Sequence, residues 1–158
     1  MEDFKHYHSI ESLDKSWQEL VALAQAKLID AYAPYSNFEV AASLLLDDGT
    51  VISGTNQENA AYPSGLCAER VAVFASQSFH PQKKIKRIAI VAKAKANVEL
   101  ASGSSCSACR QVMLEAEFRQ HEPIEILMYT NKNQWTVAKS ASALLPFAFN
   151  QNNLISQY

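Results

Sequence analysis

No stretch of this chain is apolar over the eighteen or so residues that a membrane-crossing helix requires, and the longest apolar blocks are strand-sized. A membrane partner is therefore not expected. The opening residues, MEDFKHYHSIESLDKSW, lack a basic start, an apolar stretch and a small-residue cleavage site. They do not read as a secretory leader, which places the chain, as an expectation, in the cytoplasm. Positive charge is also sparse. Fourteen lysines and arginines against sixteen acidic residues give a formal net charge of −2, and basic residues gather only at Lys83, Lys84, Lys86 and Arg87. A surface that tracks a phosphate backbone needs more than this, so nucleic acid is not an expected partner. Repeats, low-complexity tracts and linkers are missing too, and 158 residues suit one domain, residues 1–158, better than two. Cysteine is scarce as well. Three of them cannot all pair within one chain, and all three fall in two short motifs, so they read as metal ligands and not as disulfides.

What is present has a clear periodicity. Residues 10 to 31 carry Leu13, Trp17, Leu20, Val21, Leu23, Ala24 and Leu28 at helical spacing, with Lys15, Gln18, Glu19 and Lys27 mostly opposite. Pro34 blocks continuation of that helix. The run FEVAASLLLDDGTVISGT places two β-rich segments around Asp47, Asp48 and Gly49, which predicts a hairpin. A helix is expected from Cys67 to about residue 78, with Pro81 behind it. IKRIAIVAK then reads as a buried strand at 85 to 93, residues 107 to 119 as a helix, and EPIEILMYT and WTVAK as strands before a short final helix. Strands separated by helices point to an α/β fold: three layers, α/β/α, around a mixed five-stranded sheet.

The chemistry sits at two predicted helix starts. Cys106-Ser107-Ala108-Cys109 sets two thiolates three residues apart, a spacing that lets both sulfurs reach one tetrahedral ion, and Cys67 supplies a third from another helix start. Three protein ligands leave a fourth position for water, the arrangement of a catalytic zinc, Zn2+, expected at one ion per subunit. Helix starts favour thiolates because their free amides and dipole stabilise negative charge. Three thiolates on a divalent ion still leave a net negative charge, and Arg70, about one turn beyond Cys67, is placed to donate to the sulfurs and offset it. Glu69 lies two residues past Cys67, near enough to meet water at the metal without being a ligand, and a carboxylate there can take and return protons. Each feature has a plainer reading alone: Cys67 as a small buried apolar residue, the Cys-x-x-Cys pair as incidental. Their combination across 39 positions, on two helix starts separated by one strand, argues for the zinc site. His6, His8, His80 and His121 lie outside the motifs and read as solvated surface.

These residues resemble the zinc deaminase signature, a Cys or His, one residue, then Glu, followed later by Pro-Cys-x-x-Cys. The chain further resembles the small cytidine deaminases through Ala33-Pro34-Tyr35-Ser36, Asn56-Gln57-Glu58-Asn59-Ala60-Ala61-Tyr62, Cys67-Ala68-Glu69-Arg70, Cys106-Ser107-Ala108-Cys109-Arg110-Gln111, and Leu144-Leu145-Pro146 with Phe149. The resemblance runs from about residue 15 to 149. It implies hydrolytic deamination of cytidine and deoxycytidine, with Asn56 and Glu58 on the ribose hydroxyls, Phe38 lining the nucleoside pocket and the main chain at Ala68 meeting the base. It implies a homotetramer in which Phe149 reaches a neighbour's base. A carboxylate at position 58 suits a sugar hydroxyl and repels a nearby phosphate, which favours a nucleoside over a nucleotide.

Two positions depart from the resembling family. Ser105 stands where proline is usual, which leaves Ser104, whose carbonyl would accept the leaving amine, less restrained. Ala41 stands where glycine is usual in the strand after Phe38, adding one methyl to the packing. Alternatives to the nucleoside reading are a deaminase of blasticidin-like amines on the same scaffold, and a non-catalytic, zinc-stabilised binding protein. Alone, Asn56 and Glu58 read sooner as a polar loop than as ligand contacts, and Phe149 as a core position.

Overall fold

The computed structural model describes residues 3–131 and 134–155. Its centre is one mixed sheet whose inner strands are buried on both faces, while the edge strands are partly exposed. The strands are β1 (Phe4–Tyr7), β2 (Phe38–Leu46), β3 (Val51–Thr55), β4 (Ile85–Ala94), β5 (Glu125–Asn131) and β6 (Gln134–Ala138), in the order β1-β6-β5-β4-β2-β3. The helices are α1 (Lys15–Lys27), α2 (Ala68–Phe79), α3 (Ser107–Gln120) and α4 (Gln151–Ile155). Among the paired strands described, β4 and β5 alone run parallel, with α3 as the crossover between them.

Alternation along the central strands assigns the two faces. Ala42, Leu44 and Leu46 of β2, Ile88 and Ile90 of β4, and Ile126 and Met128 of β5 join Ala68, Ala72 and Val73 of α2 and Met113, Leu114 and Ala116 of α3 in one core. The intervening Ala41, Ala89, Val91 and Leu127 turn the other way, onto Trp17, Leu20, Val21 and Ala24 of α1. The expected three layers are present, and the methyl of Ala41 is fully buried in the second core.

The expected strand count needs correction: among the described residues the sheet has six strands, not five. The missed one, β1, is a four-residue edge strand, FKHY, paired antiparallel to β6 from Phe4↔Ala138 to Tyr7↔Trp135. Four residues with a cation and a histidine inside carry too little alternation to register as a pattern. The opening helix is also shorter than its apolar spacing implied. Asp14 stops it upstream by accepting from the Trp17 amide at 3.1 Å as N-cap, and the flanks Ile10–Ser12 and Leu28–Asp30 are 3-10 turns. Leu23 falls off the apolar face and is exposed.

The layers position two helix starts side by side. Gly54 in β3 makes this possible, because a Cβ there would lie 2.6 Å from the Ala72 nitrogen and 2.7 Å from the Ala68 oxygen. The first turn of α2 thus rests directly on strand backbone.

Candidate active site

Cys67 and Cys106 are the N-caps of α2 and α3, both in extended conformation, and Cys109 lies in the first turn of α3. Crossing from β3 through α2 and β4 to α3 brings residues 39 positions apart to a Sγ–Sγ distance of 3.9 Å. All three sulfurs lie within 4.8 Å of one another. A tetrahedral zinc with sulfur ligands at about 2.3 Å has an S–S edge of about 3.8 Å, so the cluster fits that ion. Cys109 is buried, Cys67 half-buried and Cys106 exposed, which leaves one side of the cluster open.

Charge around the sulfurs is unequal. Cys67 is held at about 5, first by the hydrogen bond it receives from Cys109 and then by Arg70, while burial pulls the other way. Cys109, which supplies that hydrogen and is itself buried, is pushed up. The Arg70 Nη2 donates to Cys67 Sγ at 3.7 Å. Its Nε is buried without a hydrogen-bond partner.

Glu69 is 4% exposed. Burial raises its carboxyl above the usual range, and the negative Cys67 adds to that, against the opposing hydrogen bond from Ser105. The Ser105 hydroxyl donates to Glu69 Oε1 at 2.9 Å.

Two cavities meet at Cys67. One, of about 520 Å3, follows the loop after β3 and is lined by Tyr35, Asn56, Glu58, Tyr62, Cys67 and Arg70, among others. The other, of about 240 Å3, reaches Phe38, Asn56, Cys67, Glu69, Ser104 and Cys106 and is walled by the ends of β4 and β5 at Val91, Ala92 and Tyr129. The larger one falls in the size range of small-molecule sites.

The residues expected to hold a ligand are distributed as follows. Phe38 is half-buried and lines the smaller cavity. Asn56 lines both cavities, yet its amide also braces β2, accepting from the Val40 amide and donating to the Phe38 carbonyl, each at 2.9 Å. Glu58 Oε2 accepts from the amides of Tyr35 at 2.9 Å and Ser36 at 3.3 Å. The Ser36 hydroxyl and these amides hold its carboxyl below the usual range. Ala68 is fully buried between Cys67 and Glu69. Phe149 stands apart: it is exposed, its carbonyl accepts from Gln111 Nε2 at 2.8 Å, and it lines neither cavity.

Sequence reasoning missed the restraint on the segment before Cys106. Ser105 is not a loose joint: Arg110 Nε donates to its carbonyl at 2.8 Å, Nη2 to Ser104 Oγ at 3.4 Å, and Nη1 to the Leu144 carbonyl at 3.2 Å. One guanidinium thus ties the loop to the 3-10 turn Ser142–Leu144. Arg110 was visible only as the residue after the second motif. Tyr129 gave no signal at all, because its place at the site depends on the parallel register of β4 and β5.

Comparison with known proteins agrees with this geometry. Residues 14–121 match the profile of the cytidine and deoxycytidylate deaminase zinc-binding region. The chain is 40% identical over 125 residues to a cytidine deaminase of Halalkalibacterium halodurans, covering 78% of this chain and 86% of that one. It is 39% identical over 139 residues to a cytidine deaminase of Sporosarcina psychrophila, covering 87% and 93%. The crystal structure of cytidine deaminase from Burkholderia pseudomallei superposes with a TM-score of 0.70 at 36% identity, over 84% of this chain and 98% of that one. The three-cysteine cluster, the buried glutamate beside it and a profile match that takes in most of the chain lead to one assignment: this chain belongs to the cytidine and deoxycytidylate deaminase family of zinc-binding enzymes.

Proposed function

We propose that the chain hydrolyses the exocyclic C–N bond of cytidine and deoxycytidine, giving uridine or deoxyuridine and ammonia. The observation that carries this reading is the placement of Glu69, a buried carboxylate lining a cavity that also exposes Cys67 and Cys106. Cys67, Cys106 and Cys109 would hold zinc, which when bound would supply a Lewis acid able to bring the pKa of water from 15.7 to about 7. Glu69 accepts the proton released and delivers it to the ring nitrogen beside the amino-bearing carbon, making that carbon electrophilic as the water oxygen adds. It then takes the remaining proton of the added hydroxyl and passes it to the amine, which leaves as ammonia past the Ser104 carbonyl as the C–N bond breaks and the new carbonyl forms.

Arg70 offsets the thiolate charge. Phe38 flanks the base, the main chain at Ala68 meets its edge, and Asn56 and Glu58 take the ribose hydroxyls. Glu58 is ionised and half-buried beside the larger cavity, a setting that accepts sugar hydroxyls and repels phosphate. Phe149, exposed on a single chain, is assigned to a neighbour's base in a homotetramer. Exposed Phe74, Phe79, Ile29 and Phe147 supply apolar surface for such an assembly. The sequence forms one domain acting in the cytoplasm, and no helix among the described residues is long and apolar enough to cross a membrane.

The test is ultraviolet monitoring of cytidine and deoxycytidine with zinc-analysed protein, Glu69→Ala beside wild type and blasticidin as a comparison substrate. Wild type should convert both nucleosides. Glu69→Ala should keep zinc and fold while losing at least about a thousandfold in kcat, as loss of an essential acid–base group implies. Full activity in that variant, or conversion of blasticidin alone, would overturn the assignment.

A further inference from the structure

Ser105 is an anomaly among the polar residues of this site. It is 2% exposed, so no bulk water reaches its hydroxyl, and its hydrogen goes to Glu69 Oε1 at 2.9 Å. A buried hydroxyl beside a buried carboxylate is a costly pairing to assemble unless both ends are held. Here they are. Glu69 is fixed in the first turn of α2, two residues after the Cys67 cap. Ser105 is fixed through its own carbonyl, which accepts from Arg110 Nε at 2.8 Å while Arg110 Nη1 reaches the Leu144 carbonyl. The resulting relay runs from the Ser142–Leu144 turn through Arg110 and Ser105 to the carboxylate, crossing from the α3 side of the site to the α2 side.

We propose that Ser105 is a positioning residue for Glu69: its hydroxyl pins Oε1 and fixes the carboxylate rotamer, so that Oε2 is the oxygen that exchanges protons with water and substrate. The inference rests on the deaminase reading above. A hydrogen bond to a charged acceptor is shorter and stronger than a neutral one, and its direction is fixed because an ionised carboxylate can only accept. Without it the carboxylate would turn about its last torsion, which is broad for glutamate, and a proton shuttle loses rate steeply with small displacements of the donor atom. Proline at this position restrains the backbone but has no hydroxyl. In this chain Arg110 holds the Ser105 carbonyl, and the serine side chain adds a hydroxyl that proline lacks.

The experiment compares wild type, Ser105→Ala and Ser105→Thr as zinc-loaded proteins. Four quantities are measured: kcat, KM for cytidine, zinc per chain, and the carboxylate stretch of Glu69 in isotope-edited infrared spectra, assigned with Glu69→Gln. Ser105→Ala should lower kcat about 10- to 100-fold, the range for loss of an outer hydrogen bond to a catalytic group. KM should stay within about twofold and zinc at one per chain, while the Glu69 band shifts as its hydrogen bond is lost. Ser105→Thr, which keeps the hydroxyl, should recover most of kcat and the wild-type band. Unchanged kcat in Ser105→Ala, an unshifted Glu69 band, a loss of zinc that parallels the loss of rate, or failure of Ser105→Thr to recover would each overturn the proposal. An inactive wild type would instead sink the deaminase reading first, so the two failures are told apart by which protein is silent.

Discussion

Asn56 braces the fold and, in the function proposed above, also takes the ligand. Its amide oxygen and nitrogen close two 2.9 Å hydrogen bonds with the backbone of β2 at Val40 and Phe38, and one N–H and one lone pair remain for a sugar hydroxyl. Asn56→Ala should therefore fail in two ways. Leaving the two backbone groups unpaired costs about 1 to 3 kcal/mol, visible in urea unfolding, and the nucleoside KM should rise. Asn56→Asp keeps the acceptor for the Val40 amide but sets a carboxylate against the Phe38 carbonyl. It should be no more stable than Asn56→Ala, and a wild-type unfolding midpoint in Asn56→Asp would refute the brace.

At the scale of elements, α2 depends on its contact with β3. Gly54→Ala forces a methyl to within 2.6 Å of the Ala72 nitrogen and 2.7 Å of the Ala68 oxygen, and both obstacles are backbone, which cannot rotate away. The expected loss is about 1 to 3 kcal/mol. Because Ala68 sits between Cys67 and Glu69, activity and zinc affinity should fall with it, whereas Gly49→Ala in the hairpin turn, strained only by its φ of 87°, should cost stability and spare the site. Equal activity in the two variants would count against this. The same contact shows what the sequence makes legible. The central strands and helices were readable because each carries its own periodicity, and the zinc ligands because thiol spacing and helix starts are local signals. The edge strand β1 was too short to show a period. The sequence showed Ser105 only as a missing proline, and the contacts of Ser105 with Glu69 and of Arg110 with Leu144, 36 and 34 positions apart, and the place of Tyr129, set by strand register, could not be read from it.

For the whole molecule, the cysteines join two helix starts on either side of β4. A metal bound there is a cross-link that the unfolded chain lacks, and ligand binding to the native state alone adds about 4 kcal/mol at a thousandfold excess over Kd. Removing zinc with a chelator should lower the melting temperature by several degrees as well as abolish turnover, and re-addition should restore both. Protons compete for the same sulfurs. The buried Cys109 thiol is pushed up, so zinc binding must displace its proton to solvent, and retention must weaken as pH falls. The chelator's effect should accordingly appear at lower concentration at pH 5.5 than at pH 7.5, measured as zinc per chain after equilibrium dialysis. In Cys106→Ser, which loses a ligand, the melt should not respond to chelator at either pH. A wild-type melt unchanged after verified zinc loss would mean that packing of α2 and α3 on the sheet holds the site's architecture by itself, and that the metal serves chemistry alone.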